Sequence, residues 1–401
     1  MRVKDRPVAI LLTPVLPLPG QSGRALRAWS WLNDLNRTHK VYVLVADDTG
    51  IPIIPTDYPA EGVWLIPTKT SNAPKLLRIL GILFPPICLL SRRVIADWHY
   101  PINISTLDSY ISEISEEYVS RIVVFRFYLH GLGQIIAKYY PSAKLELDMD
   151  DLESYTRISV AGCLIRMKRY RESIRWLASA VQYLFLELFI SRCYSIVWLA
   201  SVQDGFYLRK HIIRNIEERP NRIPLPDLKD ISNPNKFDIL RILFVGTLNY
   251  PPNEDAILYL LNKIQPEIEK RLKRPWKMCV VGRHASPLLT KLLEDAPRVE
   301  FFPDAERLET FYAAAQIIIV PLRSGGGTKL KSIEAFSYRR PLVSTRHGMR
   351  GIDATEGTHY LVAETPDQFA NAITLLASDP VLAERISQDG ETFCRETYGL
   401  L

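Results

Sequence analysis

Close cysteine pairs are missing from this chain of 401 residues. Cys88, Cys163, Cys193, Cys279 and Cys394 stand far apart, so neither a zinc-site spacing nor a thioredoxin-like redox motif is present, and reduced cytoplasmic thiols are the simplest reading. The longest apolar stretch lacks continuity too. The longest candidate, LLRILGILFPPICLLSRRVIADW from Leu76 to Trp98, is split by Pro85 and Pro86, and each half falls short of the roughly 20 residues a spanning helix needs. The opening MRVKDRPVAILLTPVLPLPG has a basic head, but Pro14, Pro17 and Pro19 break it and no small-x-small cleavage site follows. It reads as a buried first strand rather than a signal peptide. A large excess of one charge sign is missing as well. The net charge is only +6, and the basic residues are scattered without an aromatic-interleaved stripe, which argues against nucleic acid as a partner.

What is present is a length that exceeds one hydrophobic core, in a chain whose 23% charged and 47% hydrophobic residues are ordinary for a globular protein. Short apolar runs alternate with helical patterns. In the first half the strand candidates are residues 8–13, 40–46, 62–67, 121–125, 144–148 and 194–200. In GRALRAWSWLNDLNR, Leu26, Trp29, Leu32 and Leu35 recur on one helical face. Residues 217–237 carry four prolines and break the pattern, which then restarts with candidate strands at 241–246, 276–282, 298–302, 316–321 and 341–345 and helices at 254–271 and 328–338. The expected division is residues 1–225, a linker at 226–237, and residues 238–401. Continuous apolar strands with helices between them imply α/β architecture, with a parallel sheet in each half and two Rossmann-like domains facing a cleft. Such sheets bind ligands beyond the carboxyl ends of their strands.

The loop after 316–321 reads LRSGGGT and leads into KLKSIEAFSYRR. Gly325, Gly326 and Gly327 let a backbone approach a ligand, and the helix that follows offers unpaired N–H groups to a phosphate. Lys329 and Lys331 oppose the helix dipole unless an anion lies between them, and Glu334 stands where it reaches a sugar hydroxyl. The same residues also suit a plain turn with an intrahelical pair between Glu334 and either lysine.

GGGTKLKSIEAFSYRRPLVSTRHGMRGID resembles the signature region of family 4 glycosyltransferases of the GT-B fold, in particular a subgroup with a Gly-Gly-Gly-Thr-Arg/Lys-Leu-Lys stretch. LFVGTLNYPPNEDAI is similar to the family's opening of the second domain, VVGR to its next strand end, HYLVAETPDQFANAITLLASDP to its closing helix region, and LTPVLPLPGQSGRALR to its first loop. The resemblance implies transfer of a sugar from a nucleotide diphosphate sugar to a hydroxyl acceptor, with retention of configuration and with no cofactor or metal. It also implies that Glu334 holds the donor ribose, that Gly325, Gly326, Gly327 and Thr328 face the diphosphate, and that Gly246 and Thr247 border the donor. Where relatives carry a first glutamate this chain has Gly326, and where many carry Arg and Lys it has Thr247, Leu248 and Asn249. Lys329 or Lys331 is then the cation that stabilises the leaving diphosphate.

In the first half, Gly20 and Gly23 precede a helix whose Arg24 and Arg27 suit a second anion-facing loop. LELDMDDLES places Asp148, Asp150 and Asp151 at a strand end, where Asp148 or Asp150 is a candidate base and Asp151 a sugar-facing group; capping the next helix is the alternative. The letters Asp-Met-Asp match a metal-binding Asp-x-Asp only by sequence, on a chain unlike that single-sheet fold. Arg126 is a candidate for steering an anionic substrate, His130 for a structural role, and His347 for lining the nucleotide pocket. The basic-then-apolar stretch 163–194 suits either a core helix or a membrane-lying one that meets a lipid-linked acceptor or a growing glycan, at the inner face of a membrane. A nucleotide-sugar epimerase and a non-catalytic nucleotide-sugar-binding subunit are the alternatives to a transferase.

Overall fold

The computed structural model describes residues 6–19, 23–47, 53–67, 104–114, 117–201, 203, 215–227, 238–305 and 307–400. Gly20, the apolar stretch 76–98 and residues 228–237 of the expected linker lie outside the described residues. Two compact units emerge. The first comprises residues 1–155 and 178–222, the second 156–177 and 223–401. Division by sequence order alone assigns 156–177 to the first half, whereas these residues cluster with the second unit.

The first unit is built on β1 (Val8–Thr13), β2 (Lys40–Asp47), β3 (Gly62–Pro67), β4 (Val119–Phe125), β5 (Lys144–Asp150), β6 (Ile196–Leu199) and β7 (Ile216–Glu218), ordered 3-2-1-4-5-6-7. Every pairing is parallel. The central strand β1 is buried at all six positions because helices cover both faces. Its alternation divides the core: Val8, Ile10 and Leu12 pack with Leu44, Val124 and Leu147, while Ala9 and Leu11 meet Trp31, Leu32 and Leu35. Those last three come from α1 (Gly23–Asn36), where Trp31 rather than Trp29 is the enclosed tryptophan; Trp29 is half-buried beside Tyr58. The unit also holds α2 (Ile104–Glu113) and α3 (His130–Tyr139).

Two helices continue from one unit into the other, α4 (Glu153–Arg166) and α5 (Tyr170–Ile190). In the first unit, Glu187 on α5 accepts the backbone N–H of Ser154 at 3.0 Å and its hydroxyl at 2.5 Å, which caps the start of α4. Burial pushes the Glu187 carboxyl up to about 8.

The second unit carries β8 (Leu240–Thr247), β9 (Trp276–Arg283), β10 (Val299–Pro303), β11 (Ile317–Val320), β12 (Leu342–Ser344) and β13 (Leu361–Val362), ordered 10-9-8-11-12-13 and again all parallel. Around it lie α6 (Pro251–Tyr259), α7 (Gln265–Arg271), α8 (Pro287–Asp295), α9 (Glu309–Ala314), α10 (Leu330–Ser337), α11 (Pro366–Ser378) and α12 (Pro380–Tyr398). The single helix expected over 254–271 is α6 and α7 joined through a π turn at Leu260–Ile264. Pro366 and Pro380 open α11 and α12 at positions whose N–H has no helical partner, behind the caps Thr365 and Asp379. The strand order reverses between β8 and β11, and the ends of these two strands are where an open sheet receives its ligand.

Candidate functional site

β11 delivers the loop 321–329 to that reversal, and each of its three glycines has a separate reason to be there. Gly325 (φ 108°) and Gly327 (φ 67°) occupy the left-handed region that a side chain resists. Gly326 does not, but a Cβ there would overlap the hydroxyl of Thr156 on α4. The loop is held from several sides. Arg323 donates to both Asp255 carboxylate oxygens at 2.7 and 3.2 Å and stacks 4.0 Å from the centre of the Tyr259 ring. The Gly325 N–H donates to Ser159 Oγ at 2.9 Å, and its carbonyl lies 2.9 Å from His347 Nε2. Burial, followed by the charge of Lys329, pushes His347 down to about 4, so the ring is neutral and the carbonyl selects the tautomer with Nε2–H as donor. His347 therefore supports the loop backbone. Lys329 is also a support: its ammonium, on a residue only 8% exposed, donates to the carbonyls of Gly326 and Gly327. That assignment corrects the expectation of a catalytic Lys329, since its charge is committed to the loop.

Lys331 is a second lysine at the start of α10. Its Nζ donates to Asn253 Oδ1 at 2.8 Å, lies 4.5 Å from the centre of the Phe244 ring, and comes within 3.0 Å of where a Gly246 Cβ would stand. Buried Asn253 also donates from Nδ2 to the Thr247 carbonyl at 2.9 Å, which ties the end of β8 to the start of α10. Burial is the main influence on the Lys331 ammonium and pushes it down to about 7. Glu334, one turn further along α10, accepts the Tyr312 hydroxyl at 2.6 Å through Oε2, and burial raises its carboxyl above the usual range. Tyr312 is itself fixed by stacking on Tyr338, with centroids 5.0 Å apart and planes 7° from parallel. No side chain caps the start of α10, and Thr328 Oγ1 is buried without a hydrogen-bond partner. An uncapped helix terminus, a cation, a carboxylate and close-approach glycines thus converge at the β8/β11 reversal. Asn253, Tyr312, Thr156 and Ser159 have no local sequence signal and were not among the expected site residues.

In the first unit the expected groups largely satisfy one another. Asp148 is fully buried; it accepts Arg27 Nε at 2.8 Å and Nη2 at 2.9 Å, the Trp31 indole N–H, and the Asp150 backbone N–H at 2.8 Å. Arg27 donates further to the Arg219 carbonyl at 2.8 Å and to Asn221 Oδ1 at 2.9 Å. These bonds correct two expectations: Asp148 is not placed to act as a base, and Arg27 is not placed to face an anion. Arg126, only 8% exposed with φ 78°, donates to Asp150 at 2.7 Å and Asp151 at 2.8 Å, so its charge is neutralised rather than offered for steering. Burial alone would raise the Asp150 carboxyl, but Arg126 and Arg27 outweigh it and hold the group below the usual carboxylate range, which makes it a weak base. Gly23 begins α1, with Arg24 exposed beside it. His130 pairs through Nδ1 with the Tyr194 hydroxyl at 2.9 Å, a structural contact.

Residues 240–379, which contain the whole loop and α10, match the family Glycosyl transferases group 1. An uncharacterized 44.6 kDa protein in the cps region of Klebsiella pneumoniae is 27% identical over 173 residues; the match covers 41% of this chain and 44% of that protein. Sucrose-phosphate synthase of Thermosynechococcus elongatus superposes with a TM-score of 0.66 at 15% identity, over 98% of this chain and 95% of that one. The Anabaena protein HepE in complex with UDP-glucose superposes with a TM-score of 0.61 at 12% identity, over 98% and 95%. These likenesses establish the GT-B fold, and residues 240–379 of the second unit are similar to group 1 glycosyl transferases.

Proposed function

We propose that the protein transfers a sugar from a nucleotide diphosphate sugar to a hydroxyl acceptor in polysaccharide or glycoconjugate assembly, on the cytoplasmic side of a membrane. The observation that carries this reading is the convergence of the glycine loop, the uncapped start of α10, Lys331 and Glu334 at the β8/β11 reversal. A cps-region relative and a UDP-glucose-bound structural neighbour support the class of pathway and of donor. Glu334 accepts ribose hydroxyls, and the α10 amides with Lys331 receive the diphosphate and stabilise its charge as it departs. The donor's charge is answered by these protein groups without a metal. Asp150 remains a carboxylate on the acceptor side, as a fixed charge rather than a strong base, with Asp151 beside it on Arg126. Transfer proceeds with retention, and NMR of the first-formed product reads the anomer directly: inversion would contradict this part of the reading.

Lys331 supplies a pH test. A diphosphate favours the charged ammonium, so binding raises the Lys331 pKa from about 7 toward its ordinary value, 10.5, and takes up a proton. Nucleoside diphosphate affinity is therefore expected to be highest at or below pH 7 and to fall by up to about tenfold per pH unit above it. Calorimetry at pH 8 in buffers of different ionisation enthalpy measures the uptake, and Lys331→Met abolishes it. A pH-independent affinity between 6.5 and 9 would show that Lys331 does not meet the diphosphate.

The membrane side of the proposal rests on α5. By length and composition Tyr170–Cys193 is long and apolar enough to cross a membrane, with 39% of its apolar window buried. Gln182, Tyr183, Leu186, Glu187 and Ile190 form its buried face. The opposite face exposes Ile174 (66%) and Val181 (60%), with Leu177 and Phe189 in line, and Lys168, Arg171 and Arg175 exposed beside its first turns. A basic edge beside an apolar stripe matches an anionic lipid surface, on which the helix lies flat. The protein should float with vesicles containing phosphatidylglycerol, and Ile174→Asp with Val181→Asp should leave it at the bottom of the gradient. Equal flotation of that variant would remove α5 as the contact.

A further inference from the structure

Thr156 and Ser159 belong to no expected site, yet both reach the glycine loop. Thr156 fills the space in front of Gly326 that a side chain would take, and Ser159 Oγ receives the Gly325 N–H. They lie one helical turn apart on the same face of α4, within the residues that cluster with the second unit. The contacts around them hold α4 to the rim of the candidate site. Cys163, a turn further on, approaches the Pro251 carbonyl at 3.4 Å, and Arg166 reaches Asp255 at 3.2 Å. Asp255 is the carboxylate that also anchors Arg323 of the loop, so one buried acid couples α4, α6 and the loop.

The ligand's own polarity then assigns a role. A nucleotide sugar is linear in its chemistry: nucleoside, diphosphate, sugar. With the ribose at Glu334 and the diphosphate at the start of α10 and Lys331, the sugar extends toward the opposite end of the loop, at Gly325 and Gly326. There the loop offers no side chain, and the hydroxyl-bearing face of α4 stands against it. We propose that Thr156, assisted by Ser159, forms the sugar side of the donor site, with α4 supplying the hydroxyls for which the glycine loop has no side chain. Hydroxyls both donate and accept, which suits the alternating demands of a neutral hexose. This inference rests on the donor reading given above.

The test compares each nucleotide sugar with its parent. Binding of UDP-glucose, GDP-mannose, ADP-glucose and dTDP-glucose, and of UDP, GDP, ADP and dTDP, is measured by calorimetry on the wild type, Thr156→Val and Thr156→Ser. Thr156→Val keeps the shape of the side chain and removes only the hydroxyl. For the pair that binds the wild type, Thr156→Val weakens the nucleotide sugar at least about fivefold, the loss of roughly one hydrogen bond, while the parent diphosphate binds unchanged. Thr156→Ser restores the sugar's contribution. If both ligands weaken together, Thr156 shapes the loop and does not read the sugar; if neither changes, it has no part in the site. Failure of the donor reading looks different, because then no nucleotide or nucleotide sugar binds the wild type at all.

Discussion

Asp148→Ala is expected to destabilise the first unit by about 3–5 kcal/mol, the range for breaking a buried ion pair by removing one partner. Among the described residues, the substitution leaves the Arg27 guanidinium, on a residue 2% exposed, with Asp150 at 3.5 Å as its carboxylate partner, and it strands the Trp31 indole N–H. For a unit of this size each kcal/mol moves Tm by about 2–4 °C, so the unfolding transition should fall by about 6–20 °C. A second variant separates repulsion from packing. Arg27→Met with Asp148→Leu removes both charges at similar volume and should recover the share of the loss that comes from the unpaired guanidinium, while the Trp31 indole N–H and the Asp150 N–H stay without their acceptor. Asp148→Ala with an unchanged Tm but abolished transfer would reverse the assignment and return Asp148 to a catalytic role.

The second large effect is at Glu334. Glu334→Gln should lower affinity for the nucleoside diphosphate by about 10- to 100-fold, the equivalent of roughly 1.5–3 kcal/mol for hydrogen bonds to a charged group. The choice of glutamine matters. Its amide oxygen still accepts the Tyr312 hydroxyl, which in a buried tyrosine stacked on Tyr338 would otherwise be stranded, while its NH₂ cannot accept a ribose hydroxyl. Glu334→Ala removes both and should also lower stability by about 1–3 kcal/mol through the orphaned Tyr312 hydroxyl. Thermal unfolding of the two variants beside their binding curves separates the ligand's share from Tyr312's. Equal affinity in wild type and Glu334→Gln would place the ribose elsewhere.

The sheets were legible from sequence because buried parallel strands are written as continuous apolar runs, such as VAILLT and RILFVG. Strands β7 and β13, of three and two residues, were not, since nothing in so short a segment separates it from loop. The glycine loop was legible for a local reason too: glycines, lysines and Glu334 lie within ten positions, from Gly325 to Glu334. What failed was long-range pairing. Arg27 and Asp148 are 121 positions apart, and a charged residue after a strand reads the same whether it faces a ligand or a partner. Lys329 misled in a second way, because spacing cannot show that its ammonium folds back onto the carbonyls of its own loop. Thr156 and Ser159 left no trace, because their significance exists only where α4 meets Gly325 and Gly326.

The central claim is that the glycine loop and α10 bind the diphosphate of a nucleotide sugar, and calorimetric titration of UDP, GDP, ADP and dTDP into the wild type and Glu334→Gln tests it most directly. The account predicts that one nucleotide binds the wild type selectively and binds the variant about 10- to 100-fold more weakly. No binding of any of the four at millimolar concentration would contradict it, and would leave the three glycines as a structural turn packed against α4.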